Sequence, residues 1–321
     1  MLTENIAQQV LFSPISLGAD TLLILSSYAT PNMASWYIKS IQERGILPIS
    51  LSLLIGMTPY DGLSIPIHEG FKSLHGHSYA KSVKTFLCSY ICENPPIHAN
   101  LYIWLKNDVP LLAYTGSADF VQSAFISARK EVIEICDPKE AFDYYLAAER
   151  NSIYCNHAEI EDHIVLRLAH QILDAENKPL TTLEGDGITS VNLSLLTKKG
   201  DVGKRSGLNW GQRNKRNRNE AYIPLPKKIA KNAFFPLGRH FTVVADDGHT
   251  LLLRVEQQND KAITTPLSNA QLGEYFRNRL GLSNGAFITK QSLIEYGRTA
   301  VTFYKIDDEQ YFMDFSQQPM M

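Results

Sequence analysis

The chain has 321 residues, of which 44% are hydrophobic and 20% charged, and its formal net charge is −2. That length suits about two domains with a sizeable core, and the near-neutral average points to no anionic partner. The sequence has no long uninterrupted apolar run, and its start, MLTENIAQQV, lacks the basic and apolar parts of a signal peptide. A membrane span and a secreted protein are therefore both disfavoured, and a cytoplasmic location is expected. Cys88, Cys92, Cys136 and Cys155 form no CxxC pair and no zinc-finger spacing, so free thiols and no metal site are expected.

The first half alternates strand-like and helix-like pieces. TLLILSSYA (21–29) reads as a buried strand, and NMASWYIKSIQERG (32–45) as a helix closed by glycine. LPISLSLLIGM is a second buried strand, followed by the turn-rich TPYDGLSIP. IHEGFKSLHG (67–76) is a short helix, VKTFLCSYIC a third apolar run, and KEVIEICD (130–137) a strand. PKEAFDYYLAAERN and HAEIEDHIVLRLAHQIL are expected to be helices. Strands alternating with helices imply an α/β domain with a covered sheet.

Composition shifts at DAENKPLTTLEGDGITS, which is rich in turn formers and acids. The expected division is a first domain at 1–176, a linker at 177–190 and a second domain at 191–321. The second half is mostly β. VNLSLLT, AYIPLP, HFTVVADDG, TLLLRVEQ and AVTFYKI are short strands parted by turn signals, and NAQLGEYFRNRLGL is the one firm helix. YFMDF is a further core strand pattern. A small barrel or pseudobarrel follows.

The segment IHANLYIWLKNDVPLLAYTGSADF, residues 97–120, carries the chemistry. On an extended strand His98, Asn100 and Tyr102 project together, as do Thr115, Ser117 and Asp119 on the next. KNDV looks like a tight hairpin turn centred on Asn107 and Asp108. That register sets His98 opposite Ser117 and Asn100 opposite Thr115, gathering imidazole, amide, hydroxyl and carboxylate.

HANLYIW…GSADF resembles the signature of the phospholipase D superfamily, histidine–any–lysine on one strand and Gly-Ser-any-Asn on the next. Nuclease members often have a glutamate further on, where Glu131 falls. LILSSYATPNMASWYI, LIGMTPYDGLS and HEGFKSLHG resemble the N-terminal half of NgoFVII-type restriction endonucleases. SGLNWGQRNKRNRNEAYIPLP, LGEYFRNRLGL and YGRTAVTFYKIDDEQYFMDFS resemble their C-terminal half. The resemblance implies a phospholipase D-like mixed sheet flanked by helices, joined to a mostly-β DNA-binding pseudobarrel.

It also implies a mechanism. A neutral imidazole attacks the phosphodiester to give a phosphohistidine, a second histidine protonates the leaving oxygen, and no metal or other cofactor is expected. The implied catalytic set is His98, Asn100, Ser117, Asp119 and Glu131. The chain has one such histidine motif, since His68, His75 and His77 precede no matching Gly-Ser step. A homodimer with a composite site is therefore expected. Asn100 stands at the lysine position of the signature and Asp119 at the asparagine position, so the site loses a positive charge and gains a negative one. Arg129, Lys130 and Lys106 are the cations able to compensate.

GKRSGLNWGQRNKRNRN, residues 203–219, contains six cations and no acid. Lys204, Arg205, Arg213, Lys215, Arg216 and Arg218 suit phosphates. Asn209, Gln212 and Asn219, with Trp210, suit base edges and stacking. By resemblance this is the N-terminal arm of the pseudobarrel, and the second arm falls at 257–265, with Lys261 and Thr265 as candidates. Arg277 and Arg279 are read as exposed arginines on an amphipathic core helix, and Arg298 similarly.

The expected function is that of a restriction endonuclease cutting double-stranded DNA. The resemblance implies a cognate DNA methyltransferase and, in some members, an ATP-dependent helicase-like subunit as partners; the chain has no phosphate-binding G-x-x-x-x-G-K-[ST] loop, so any ATP dependence is expected to come from such a partner. The alternatives are a sequence-specific DNA-binding protein whose nuclease half only dimerises, and a phospholipid hydrolase, which the basic loop opposes.

Overall fold

The structure is a computed structural model, describing residues 1–77, 79, 82–127, 129–167, 189–256 and 260–317. The chain separates into two compact units, divided after Arg167. The expected linker lies outside the described residues, except for its last two positions.

The first unit is built on a seven-stranded mixed sheet. Its strands are β1 (Thr21–Ser26), β2 (Ile49–Ile55), β3 (Val83–Ile91), β4 (Leu101–Lys106), β5 (Val109–Gly116), β6 (Ile133–Cys136) and β7 (Ser152–Tyr154). They are ordered β6-β5-β4-β1-β2-β3-β7. β1, β2 and β3 run parallel, while β4 and β1, and the pairs toward β6, are antiparallel. Buried on both faces, β1 reads as a nearly continuous apolar run, as central parallel strands do. Helix α1 (Pro31–Glu43) begins where the Thr30 hydroxyl accepts from Met33 N at 3.3 Å, an N-cap at the boundary expected from the sequence. Helix α2 is Ile65–Leu74. Helix α3 (Pro138–Glu149) is capped by Asp137 and packs Ala141, Tyr145 and Ala148 on the sheet residues Leu23, Leu25, Ile103 and Ala113. On the other side Trp104 Nε1 donates to Val10 O and the Tyr37 hydroxyl donates to Leu11 O, both at 2.7 Å, so the N-terminal segment is tied to the core.

One expected helix is absent. Residues 157–167 form a single turn, Ile160–His163, and then the extended pair Leu166–Arg167, which ladders in parallel with Leu63–Ser64. The pairing captures the chain where local propensity favours continuing a helix, and tertiary contacts override a weak local preference. Residues 168–173 of that expected helix lie outside the described ones.

The second unit is a nearly closed strand barrel. Its strands are β8 (Ser190–Ser194), β9 (Ile223–Pro224), β10 (His240–Ala245), β11 (Thr250–Glu256), β12 (Ala262–Thr264), β13 (Ala300–Lys305) and β14 (Gln310–Asp314). The order is β8-β13-β14-β10-β11-β12-β9. Phe235, Phe241, Val243, Leu253, Ile263, Phe303, Tyr311 and Met313 fill its interior. Helix α4 (Ala270–Arg279) matches the expected helix, while α5 (Lys290–Tyr296) was not expected. Its signals were present in TKQSLIEYG: Thr289 and Ser292 form a capping box, and Gly297 ends the helix with φ +94°. No helix among the described residues is long and apolar enough to cross a membrane.

The arginines of α4 are not exposed. Arg277 is fully buried, and Arg279 pairs with Asp246 at 2.7 Å and Asp247 at 3.2 Å. Arg298 is buried as well, 2.7 Å from Asp314. An apolar stripe read along one helix cannot reveal that loops of the same unit cover the flank carrying these cations.

Candidate nuclease site and nucleic-acid interface

The hairpin from β4 to β5 turns at Asn107 and Asp108, with φ +50° and +64°, the left-handed pair that a two-residue turn requires. Near the turn the register is as expected, Lys106 opposite Val109 and Leu105 opposite Pro110. A bulge between Trp104 and Leu105 then shifts it by one, so Leu101, not Asn100, lies opposite Thr115. A bulge adds one residue to one strand and re-aims everything beyond it. His98 therefore does not lie opposite Ser117. It is exposed in extended chain before β4, with its ring edge-on to Tyr28 at a centroid distance of 6.3 Å.

Asn100 is 7% exposed, and its amide is saturated. Its oxygen accepts from Ser27 N at 3.0 Å and lies 3.0 Å from the Ser26 hydroxyl, while its nitrogen donates to Gly116 O at 3.3 Å and to the Asp119 carboxylate. An amide has two donor hydrogens, and both are taken here, while the oxygen shares the Ser26 hydroxyl with Tyr28 O at 2.7 Å. Ser26 extends the staple, its oxygen also accepting from Phe120 N at 2.8 Å. Asn100 thus ties the ends of β1 and β5 together and has no position left for a phosphate oxygen.

The Gly-Ser step has a packing cause. A Cβ on Gly116 would fall 2.1 Å from Val132 O, so only glycine lets β5 meet the segment entering β6. Ser117 N donates to Val132 O at 2.9 Å, its oxygen accepts from Val132 N at 3.0 Å, and its hydroxyl donates to Glu131. Glu131 is 4% exposed, and its other oxygen lies 2.6 Å from Arg129 Nε. Asp119 is half-buried beside this group. Burial pushes its carboxyl above the usual carboxylate range, opposed by hydrogen bonds from Asn100 and the Tyr28 N–H and by the charge of Arg129. Tyr28 and Asp61, absent from the sequence-based set, complete the surroundings. The Tyr28 hydroxyl donates to Asp61 at 2.7 Å, which with burial raises its pKa to about 12. No local pattern marks either residue; only the meeting of strand ends does.

The other expected histidines serve the fold. His68 is buried against the Tyr90 hydroxyl at 3.2 Å, and His75 accepts from Cys88 N at 2.9 Å; burial lowers both pKa values. Among the described residues no cluster of three or more His, Cys, Asp or Glu is arranged for a metal ion, and the cysteines are free.

In the second unit the basic loop leaves β8 and returns at β9. Lys204, Arg205, Arg213, Lys215, Arg216 and Arg218 are all exposed. Trp210 is half-buried against Tyr222, with the Arg216 guanidinium 4.0 Å above its ring; Arg216 also pairs with Glu220. Arg213 Nε donates to Arg205 O at 2.8 Å, bracing one cation on the backbone of another.

The buried guanidinium of Arg277 forms the floor of this loop. It donates to the carbonyls of Ala286, Gly273, Asn219, Leu208 and Arg218 at 2.8–3.4 Å. Gly273 permits the approach, because a Cβ there would lie 1.7 Å from Asn219 O.

Three residues expected at the interface belong to the scaffold instead. Asn209 is fully buried and bonds both the carbonyl and the N–H of Ile288; Asn219 bonds Glu274 and Gly285 N; Thr265 is buried with its hydroxyl on Ser268 O. Gln212 is half-buried and donates to Gly285 O at 3.0 Å. Amides interrupting a run of cations look alike in sequence whether they meet bases or backbone. Lys261 is exposed beside β12, and residues 257–259 of the expected second arm lie outside the described ones.

Residues 4–162 match the NgoFVII restriction endonuclease N-terminal PLD domain, and residues 183–307 match the NgoFVII C-terminal B3-like DNA-binding domain. The chain belongs to the NgoFVII restriction endonuclease family. Both expected halves are thus present, a PLD-like domain with a mixed sheet and a B3-like pseudobarrel, and together they give this family member a DNA-cutting and DNA-binding role. Among solved structures the chain is similar to NucT from Helicobacter pylori, at 14% identity over 48% of this chain and 96% of that one, with a TM-score of 0.31. It is also similar to a polyphosphate kinase from Porphyromonas gingivalis, at 12% identity over 51% of this chain and 24% of that one, with a TM-score of 0.29. No curated protein matches the chain.

Proposed function

We propose that this protein is the cutting and recognition subunit of a restriction endonuclease, hydrolysing double-stranded DNA without a metal at a site shared by two copies. The observation that carries the reading is the exposed His98 set edge-on to Tyr28, whose backbone N–H donates to Asp119 of the Gly-Ser-Ala-Asp step. One imidazole attacks phosphorus, forming an N–P bond as the P–O bond breaks. The imidazolium of the second copy's histidine gives its proton to the departing oxygen. Water then attacks the phosphohistidine, losing its proton to the second imidazole and freeing His98. Ser117 and Glu131 position the phosphate-facing groups, and Asn100 and Asp119 hold the strand ends that carry them. The exposed cations of the basic loop, with Lys261, grip the DNA, and Trp210 shapes the loop.

The deciding experiment incubates plasmid DNA with the protein in EDTA and separately in magnesium, beside His98→Ala. Cleavage in EDTA that is lost in the variant supports the reading; cleavage that survives it refutes the histidine mechanism. A second reading, a sequence-specific DNA-binding protein with a weakened nuclease half, is favoured by Asn100, which stands at the lysine position of the signature and spends both amide donors inside the fold. Specific binding without cleavage, with or without an ATP-dependent helicase-like partner, supports that one. A cognate methyltransferase is the expected companion of the first.

A further inference from the structure

The superfamily signature places a lysine two residues after the histidine, and here that position holds a buried asparagine fully used by the fold. Tyr28, which meets His98 edge-on, is flanked by Asp61 and Asp119, and the charge of Glu131 reaches Asp119; these acids would repel a phosphodiester. We propose that Arg129 is the phosphate-holding cation of this site, reaching it from the segment between β5 and β6 rather than from β4. The proposal rests on the nuclease reading and names a residue that reading leaves open.

Three observations and one chemical argument converge on Arg129. Its Nε lies 2.6 Å from Glu131, whose other oxygen takes the Ser117 hydroxyl, so the guanidinium is tied to the Gly-Ser step. Its charge reaches Asp119, which is bonded to Asn100 and to Tyr28 N, and the Tyr28 ring meets His98 edge-on. Its anchor is buried and its head accessible: the Arg129 side chain is 49% exposed and that of Glu131 2%. The chemistry also fits, because a guanidinium presents five N–H donors in a planar fork that can hold a carboxylate on one edge and phosphate oxygens on another. The other two cations fit less well. Lys106 lies at the far end of β4, with Nζ 3.4 Å from Leu17 O. Lys130 is exposed and makes no ion pair with this group among the described residues.

The test uses the full chain with inorganic phosphate as probe. Phosphate protection of His98 from carbethoxylation by diethyl pyrocarbonate is followed by peptide mass spectrometry. Arg129→Ala should raise the phosphate concentration for half-protection roughly ten- to a hundredfold, the scale of one charge-assisted hydrogen bond. Arg129→Lys should recover part of it, and Lys130→Ala should leave it near the parent value. Arg129→Gln keeps a long polar side chain beside Glu131 while removing the charge, so it replaces the alanine variant if that one unfolds. Wild-type protection in Arg129→Gln, or no protection in the parent protein, overturns the proposal. Cleavage is measured in parallel. Protection that depends on Arg129 without cleavage leaves the anion site standing while the nuclease reading falls. Cleavage with parental KM in Arg129→Gln does the reverse.

Discussion

The backbone N–H of Ser27 donates to the side-chain oxygen of Asn100 at 3.0 Å, joining the end of β1 to the residue that leads into β4. A residue at a signature catalytic position is therefore a staple. Asn100→Ala should leave that buried N–H unpartnered and lower stability by about 1–3 kcal/mol. Asn100→Lys, which restores the signature, should destabilise at least as much, because it buries an amine where an amide was satisfied. Urea unfolding of both variants checks this, and a lysine variant of parental stability would contradict it.

Asp119 yields a pH prediction. Its folded pKa is raised above the ordinary 3.8, chiefly by burial, so the stability it contributes is full below that value and is lost as pH rises through the folded pKa. At neutral pH the charged form is a net burden on the fold. Asp119→Asn should make stability less dependent on pH above about pH 4 and raise the melting temperature at pH 7. It should also lower KM for DNA by removing a negative charge near the phosphate. Melting temperatures across pH 3–8 decide the first point, and an Asp119→Asn profile parallel to the parent's would refute it.

Arg277 yields a stability prediction for the recognition half. Arg277→Met should cost more than about 3 kcal/mol, since it removes several hydrogen bonds from a charged donor and leaves their carbonyls buried. Hydrogen exchange should quicken first across 203–219, before the barrel strands are affected. Unchanged exchange in that loop would show that the guanidinium is not its floor.

The basic loop yields a salt prediction. Lys215→Ala and Arg213→Ala should weaken binding to specific and unrelated DNA alike, and each should reduce the slope of log K against log salt by about 0.9. Arg216→Ala should also loosen Trp210, because its guanidinium stacks on that ring. Titrations at several salt concentrations read the slope, and an unchanged slope refutes phosphate contact.

The elements that were legible in the sequence are those encoded locally. The buried strands, the helix closed by Gly45, the Asn107–Asp108 turn and the charge of residues 203–219 all express themselves within a few residues. The role of Asn100 does not, because its partners Ser26 and Ser27 lie more than seventy positions away. The one-residue slip at Trp104 is equally silent, since strand alternation carries no mark of a bulge. Arg277 misleads for the same reason: its acceptors come from Leu208, Arg218, Asn219 and Ala286, on loops that approach α4 only in the folded chain.

The five carbonyls around Arg277 also separate two kinds of change in the basic loop. Its exposed side chains, from Arg213 to Arg218, can be exchanged without touching the guanidinium, since Arg277 holds backbone oxygens and is indifferent to the residues that carry them. Its length cannot, since adding or removing a residue between Leu208 and Asn219 shifts carbonyls out of reach. The side chains of this loop are thus free to drift by substitution, while its length is closed to drift by insertion.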